Sequence, residues 1–228
     1  MVASDPQETR QEGAAAESSL PPRLRFRLRY EKCGDLRWIG HQDLVRCVER
    51  WFRRAALPLR MSQGFHPKPK MNFLIPLAVG IAGRDEVMEF ELAAESTADE
   101  VRAALERTAP RGLRIKRLAR VTEGTPKPTM RRMTFELAVP EARQAEVARR
   151  IDDLLDTHPY PIDRQDGRPE FDLHESCGRL ELADGKLQFD ILATRSRSVR
   201  PRELLTALGI DDLEAGGAVM CRTAMEVT

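Results

Sequence analysis

Hydrophobic and polar residues alternate strictly along residues 23–30, which read RLRFRLRY. A period of two predicts a β-strand with one apolar face and one face made only of arginine. Within residues 41–56 the period changes, because Leu44, Val48 and Phe52 recur at helical spacing. An amphipathic helix therefore follows the first strand.

The elements that follow complete two similar series. Before residue 122, apolar and alternating runs predict strands at residues 70–75, 87–92 and 113–121, with a helix at 98–108. Strand, helix, strand, strand, helix, strand is the order of the ferredoxin-like fold. A similar order recurs later, with a strand at 133–139, a helix at 141–155, a hairpin turning at Asp184 and Gly185, a helix at 201–208 and a strand at 219–227.

The sequence therefore predicts an α+β fold with two tandem ferredoxin-like (β-α-β-β-α-β) domains. We expect them in residues 21–122 and 130–228, joined by a linker at 123–129 that contains glycine and proline. Residues 1–20 are rich in Ala, Ser, Glu and Gln and offer little to bury, which predicts a disordered tail.

Charge is distributed unevenly around the formal net charge of +1. Residues 21–80 hold 13 basic against 4 acidic side chains, whereas residues 130–228 hold 14 basic against 19 acidic ones. The basic density of the first half is typical of a surface that binds a polyanion. We expect RNA phosphates on the open face of the first sheet, contacted by Arg23, Arg25, Arg27, Arg29, Arg114 and Lys116.

The arginine face also has a purely structural interpretation. Glu89 and Glu91 belong to the predicted third strand, which lies beside the first strand in a ferredoxin-like sheet. Cross-strand ion pairs with these two carboxylates would neutralise part of the arginine row. Because the basic side chains outnumber these acids, we favour the polyanion interpretation.

Cysteine spacing and hydropathy exclude several classes of protein. The four cysteines form no C-x-x-C pair, which argues against a structural zinc site and against a disulfide scaffold. No apolar run approaches the roughly 18 residues that cross a bilayer, and the N-terminus lacks a secretion-signal pattern. We therefore expect a cytoplasmic protein with no metal, no cofactor and no membrane contact.

Residues 61–73 form a loop that is specialised for an anion. Gly64 permits backbone conformations closed to other residues, while Pro67 and Pro69 restrict the backbone and remove two N–H donors. Backbone N–H groups beside lysines suit phosphate. The expected contacts of this loop with RNA come from Gly64, Phe65, His66, Lys68 and Lys70.

Five motifs carry a resemblance to a known family. They lie at residues 37–44, 53–59, 62–70, 76–80 and 198–205. In these motifs the chain resembles the radical SAM-linked domain family of unknown function, closely through residues 23–95 and more weakly to about residue 210.

That resemblance implies a partner. Members of the family occur fused to, or encoded beside, a radical-SAM protein, and often lie near RNA-processing genes. This chain has no C-x-x-x-C-x-x-C run for an iron–sulfur cluster, so we expect the separate-polypeptide form. It also departs from the family at Gly40, where a serine is more usual. The predicted architecture is similar to that of the CRISPR repeat RNA-processing endoribonucleases.

The leading hypothesis is an RNA-binding accessory protein that positions structured RNA, tRNA or rRNA, for a radical-SAM partner. One alternative is a metal-independent endoribonuclease in which His41 and His66 act as general acid and base while Lys68 or Lys70 stabilises the phosphorane. His41 stands at a helix start, where capping or packing is the commoner role, and we assign no catalytic residue. A second alternative is a protein-interaction module whose arginines meet an acidic partner.

Overall fold

The computed structural model describes residues 24–166, 169–195 and 197–228. Arg23 and the tail predicted for residues 1–20 lie outside the described residues. The first half contains β1 (Leu24–Lys32), α1 (His41–Arg54), β2 (Met71–Phe73), β3 (Ala82–Leu92), α2 (Ala98–Thr108) and β4 (Leu113–Arg120). A 3₁₀ turn, Gly34–Trp38, connects β1 to α1. Each element predicted for this half is confirmed, although β2 is shorter than expected and β3 longer.

The second half follows the same order with more elaborate connections. Its predicted hairpin, helices and closing strand are confirmed, while a short ribbon and a helix of one turn were not predicted. The described elements are β5 (Met130–Ala138), α3 (Glu141–Asp156), β6 (Pro161–Ile162), β7 (Phe171–Asp172), β8 (Cys177–Ala183), β9 (Lys186–Leu192), α4 (Pro201–Ala207), α5 (Asp212–Ala215) and β10 (Cys221–Val227).

Local sequence explains where the elements of the first half form. Burial alternates residue by residue along β1, as its RLRFRLRY pattern requires. In α1 the residues at helical spacing, including Leu44 and Trp51, are the buried ones. Thr97 and Glu100 form a reciprocal capping box that starts α2.

All the described strands except β6 and β7 join one large, mostly antiparallel sheet. Its order is β4-β1-β3-β10-β5-β9-β8, and β2 pairs with a separate stretch of β3. When only the strands of this sheet are numbered within each half, leaving out β6 and β7, both halves run in the order 4-1-3-2. The sheet is continuous because β10 pairs in parallel with the start of β3, through Cys221 with Ala82 and Arg222 with Gly83.

A buried ion pair lies at this seam. Arg222 is 2% exposed, and its guanidinium donates to both carboxylate oxygens of Glu86, which is itself buried. The same guanidinium donates to the carbonyl of Ile75 at 3.0 Å. Lys32 is also buried, and its Nζ donates to the carbonyl of Ile39 at 3.2 Å. Burial lowers the pKa of Lys32, although the nearby Glu86 carboxylate partly opposes that shift.

Two apolar clusters fill the space between helices and sheet. The first gathers around Trp51, Phe52 and Phe90, and the second is the core of β5, α3, β9 and α4. Leu77 and Ile81 precede β3 in the chain but pack within the second cluster. The halves therefore share apolar contacts as well as strand pairing. Among the described residues, no helix has the length and apolarity needed to cross a membrane.

Candidate nucleic-acid interface

The arginine row of β1, which is Arg25, Arg27 and Arg29 among the described residues, is already occupied by protein partners. Arg27 Nε donates to Glu89 Oε1 at 3.0 Å, and Arg25 Nε lies 3.7 Å from Glu89 Oε2. Arg29 Nη1 donates to Asp85 Oδ2 at 2.5 Å. For these three side chains the structural interpretation, a row of ion pairs with β3, describes the observed contacts.

Backbone carbonyls hold the same guanidinium groups from other directions. Arg25 Nη2 donates to the carbonyl of Thr125 in the linker, and Arg29 donates to the carbonyl of Met225 in β10 at 3.2 Å. The linker therefore lies against the polar face of β1. Arg25 and Arg29 therefore each have a carboxylate and a backbone carbonyl as partners, whereas Arg27 is paired with Glu89 alone among the described residues.

A bulge in β4 decides which of its basic residues share the face of the arginine row. Arg29 pairs with Arg117, but the next residue of β1, Tyr30, pairs with Ile115, so Lys116 is an extra residue without a partner position. Strict alternation from Arg114 and Lys116 would place Arg117 on the apolar face. The bulge instead puts Arg117 directly opposite Arg29. A period-two pattern in the sequence does not reveal such a bulge.

The remaining two predicted residues of β4 are exposed. The Arg114 side chain is 75% exposed, and its Nη1 lies 3.3 Å from Glu31 Oε2. Lys116 is exposed, and no acidic side chain in the described part of the chain pairs with it. Arg114 and Lys116 are therefore both accessible to a ligand from solution.

Four arginines surround one open cavity of about 390 Å³, which we call the arginine cavity. The arginines that line it are Arg27, Arg29, Arg117 and Arg120, and Thr122 and Thr125 are also among its lining residues. No acidic residue is among the described residues that line it. Arg117 has no acidic partner in the described chain, while Arg120 Nη1 lies 3.4 Å from Glu95 Oε2 on the exposed side.

The specialised loop is a small hairpin attached to the edge of β3. Met61 pairs with Pro69 as an isolated bridge, and Ser62 N donates to the carbonyl of Lys68 at 2.7 Å. Ser62 Oγ accepts from Lys68 N at 2.9 Å, which closes the hairpin a second time. At its base, Glu91 N donates to the carbonyl of Lys70 at 3.1 Å. The loop therefore has a defined backbone conformation, which its glycine and prolines predicted.

The tip of this hairpin projects into solvent. Gly64 has a φ of +136°, which favours glycine. Phe65 is fully exposed, and His66 and Lys68 beside it are exposed too. Lys70 lies at the base of the hairpin, where it lines a cavity of about 280 Å³ together with Arg25. That smaller cavity also contains Glu89 and Glu91, so its charge is mixed.

The two candidate histidines occupy different environments. The His41 ring packs edge-on against Phe73 with centroids 5.4 Å apart, and its buried Nδ1 has no hydrogen-bond partner in the described residues. His66 lies in the exposed hairpin tip. No ring contact joins the two within the described chain. A group of three or more His, Cys, Asp or Glu side chains able to hold a metal ion is likewise not found there.

The fold and these contacts define an α+β protein with one large, mostly antiparallel sheet that carries exposed basic residues on its β4 side. The chain belongs to the DUF2344 family, described as an uncharacterised protein conserved in bacteria, whose model matches residues 25–201. No curated protein matches the chain.

Proposed function

We propose that this chain is a cytoplasmic RNA-binding accessory protein that positions structured RNA, tRNA or rRNA, for a radical-SAM partner enzyme. The observation that carries the RNA part is the arginine cavity, where four arginines line one space and Arg117 has no acidic partner in the described chain. The radical-SAM part rests on the resemblance of the motifs at residues 37–44, 62–70 and 76–80 to the radical SAM-linked family.

The arrangement of the arginine cavity suits a phosphate group. Arg27 and Arg29 are held in place by Glu89 and Asp85, so their positions are set before any ligand arrives. Arg117 is exposed and keeps its hydrogen-bonding capacity, and guanidinium groups bind phosphate oxygens in pairs. Preorganised positions lower the cost of binding. Charge concentrated here also attracts a polyanion before contact is made.

The hairpin tip supplies a second contact of a different kind. Phe65 offers an exposed ring, and bases of single-stranded regions stack on such rings. The neighbouring Lys68 would meet the phosphate that follows the stacked base. A structured RNA has both duplex phosphates and unpaired loops, so it matches a surface with both features.

The same proposal includes the finer description of the fold as two tandem ferredoxin-like domains, in residues 21–122 and 130–228. The repeated strand order 4-1-3-2 supports it. That description implies an architecture similar to that of the CRISPR repeat RNA-processing endoribonucleases. The fold likeness does not carry cleavage with it, and the contacts of His41 are with Phe73 rather than with His66 among the described residues.

A protein-interaction module is the second candidate function. It is favoured by the two apolar side chains of the hairpin, since Met61 is 44% exposed and Phe65 is fully exposed. Aromatic residues and methionine are enriched in protein interfaces. In this case the hairpin would contact the partner protein and the arginines would meet its acidic groups.

The decisive experiment measures binding of bulk tRNA to the purified chain between 50 mM and 200 mM salt. We expect affinity to fall steeply with salt, because bound arginines release counterions from the RNA. Arg117→Glu should weaken binding and reduce the slope of log K against log salt by about one. Arg149→Glu is the control for the charge change in the binding measurement, since Arg149 is exposed on α3, where it pairs with Asp153.

Two results would count against the proposal. Absence of tRNA binding at 50 mM salt would remove the RNA function altogether. Equal losses in Arg117→Glu and Arg149→Glu would show general charge attraction without a site at the arginine cavity. Recovery of cross-linked RNA and co-purifying protein with the tagged native chain then tests the radical-SAM partner.

A further inference from the structure

Exposed apolar side chains gather at a second place, away from the hairpin. Trp38 is 60% exposed, Val79 46% and Val219 42%. Trp38 and Val219 line a cavity of about 310 Å³, which we call the junction pocket. Its other principal residues are Arg37, Gly80, Arg202 and Glu214. The pocket is therefore built from both halves of the chain.

Backbone contacts bring these segments together closely. Gly80 N donates to the carbonyl of Arg37 at 2.8 Å, which ties the turn before β3 to the 3₁₀ turn before α1. Gly80 has a φ of +89°, and a Cβ there would lie 3.1 Å from Arg202 Nη2 and 3.3 Å from a ring carbon of Trp38. Any side chain at this position would be strained and would crowd the pocket. Glycine therefore keeps this space open beside the indole.

Hydrogen bonds fix the polar groups of the pocket. Arg202 Nε donates to Glu214 Oε2 at 2.8 Å, and Arg202 Nη2 donates to the carbonyl of Val79 at 2.9 Å. Arg37 lies over the Trp38 ring, with its central carbon 4.6 Å from the ring centroid. The buried Nε of Arg37 has no hydrogen-bond partner among the described residues. The junction pocket is thus lined by the paired Glu214 carboxylate, by two arginines and by the exposed Trp38 indole.

We propose that the junction pocket takes one unpaired nucleobase of the RNA, stacked at the Trp38 indole. This inference rests on the proposed RNA-binding function and names the part of the RNA that this pocket takes. A nucleobase is planar, so it stacks on an aromatic ring, and its edge carries donors for Glu214 and acceptors for arginine. A volume of about 310 Å³ stands at the small end of ligand pockets.

The charges of the pocket favour a base over a phosphate. Arg202 is neutralised by Glu214, and the Glu214 carboxylate would repel a phosphate that approached the same guanidinium. In the arginine cavity Arg27, Arg29 and Arg120 are also paired with carboxylates, but Arg117 has no acidic partner among the described residues and is the group left for a phosphate. The arginine cavity therefore binds phosphates, and the junction pocket binds one base.

Tryptophan fluorescence provides a direct readout of stacking. The chain has two tryptophans, and Trp51 is fully buried with its Nε1 bonded to the carbonyl of Leu105. Quenching by RNA is therefore assigned to Trp38. We expect tRNA, and single-stranded oligoadenylate nine nucleotides long, to quench the emission of the native chain and to leave that of Trp38→Phe unchanged.

Affinity measurements complete the test. Trp38→Ala should weaken binding of the oligoadenylate about tenfold, the effect of losing one stacked base. Leu155→Ala, which removes a 40% exposed side chain from α3, is the matched control and should bind as the native chain does. Both positions are exposed, so both variants should fold, and circular dichroism verifies this.

The outcomes separate this inference from the proposed function. Binding of tRNA that depends on Arg117, with no quenching and no effect of Trp38→Ala, overturns the base pocket and leaves the RNA function standing. No RNA binding at 50 mM salt overturns both. If Trp38→Ala abolishes retention of a co-purifying protein while RNA affinity is unchanged, the pocket belongs to a protein interface and the inference is wrong.

Discussion

Arg222 and Arg117 belong to the same sheet, yet their surroundings are opposite. Arg222 is 2% exposed and bonded to Glu86, to a backbone carbonyl and to the sulfur of Met133. Arg117 is exposed and has no acidic partner in the described chain. The partners of an arginine, and not its presence in a basic stretch, decide whether it holds the fold together or remains available to a ligand.

The strongest test of this contrast removes the buried member. Arg222→Met should lower the free energy of unfolding by about 3–5 kcal/mol, because Glu86 would stay buried without its counter-charge. Urea denaturation followed by circular dichroism measures the change. Replacing both partners, as in Glu86→Gln with Arg222→Met, should restore much of the loss. An Arg222→Met variant as stable as Arg117→Met would refute the contrast.

Cys221 lies next to Arg222 at the seam, and the reactivity of its thiol tests how tightly the seam is closed. Burial raises the pKa of the Cys221 thiol to about 11. At pH 8 the thiolate fraction should be about a hundredfold lower than for a thiol of ordinary pKa, and it should rise tenfold per pH unit. Iodoacetamide labelling read by peptide mass spectrometry checks this. Rapid labelling of Cys221 in the native chain at pH 8 would mean that the seam opens readily.

The arginine row is intermediate between the two extremes. Glu89 is 3% exposed and faces both Arg25 and Arg27, so Glu89→Gln should cost about 1–2 kcal/mol of unfolding free energy. The same change removes a negative charge beside the arginine cavity, so RNA affinity should stay equal or increase. Parallel urea and tRNA-binding measurements test both. A loss of stability together with a loss of affinity would mean that the carboxylate is needed to position the arginines.

The smallest effect on stability is expected at the exposed member. Arg117→Glu should change the unfolding free energy by less than about 0.5 kcal/mol, since substitutions at exposed positions without partners rarely do more. Urea denaturation of this variant beside the native chain measures the change. A destabilisation of several kcal/mol would show that Arg117 has a structural partner and would weaken its assignment to the RNA surface.

Periodicity predicted most of the local structure. The alternation of β1, the apolar stripe of α1 and the turn at Asp184 and Gly185 are properties of short stretches, and each is found in the fold. The pairing of β10 with β3 could not be predicted in this way. It joins Arg222 to Glu86, 136 positions apart in the chain, and short-range patterns carry no information about such a contact.

The candidate site was predictable in composition but not in geometry. The sequence identified the basic residues of β1 and the loop, and it identified Glu89 as a competing partner. It did not assign Arg117 to the arginine face, because a single bulge at Lys116 reverses the expected orientation. It also did not bring Trp38, Gly80 and Arg202 together, since these belong to three motifs that meet only in the folded chain.

The separation of Glu86 from Arg222 in the chain also means that the two partners are synthesised at different times. A ribosome that has just added Glu86 must add 136 more residues before Arg222 is made. At about 5–20 residues per second, this interval lasts on the order of ten seconds. Through that interval the nascent first half lacks the guanidinium that bonds Glu86, and the start of β3 has no β10 to pair with. The seam therefore cannot close until Arg222 has been synthesised.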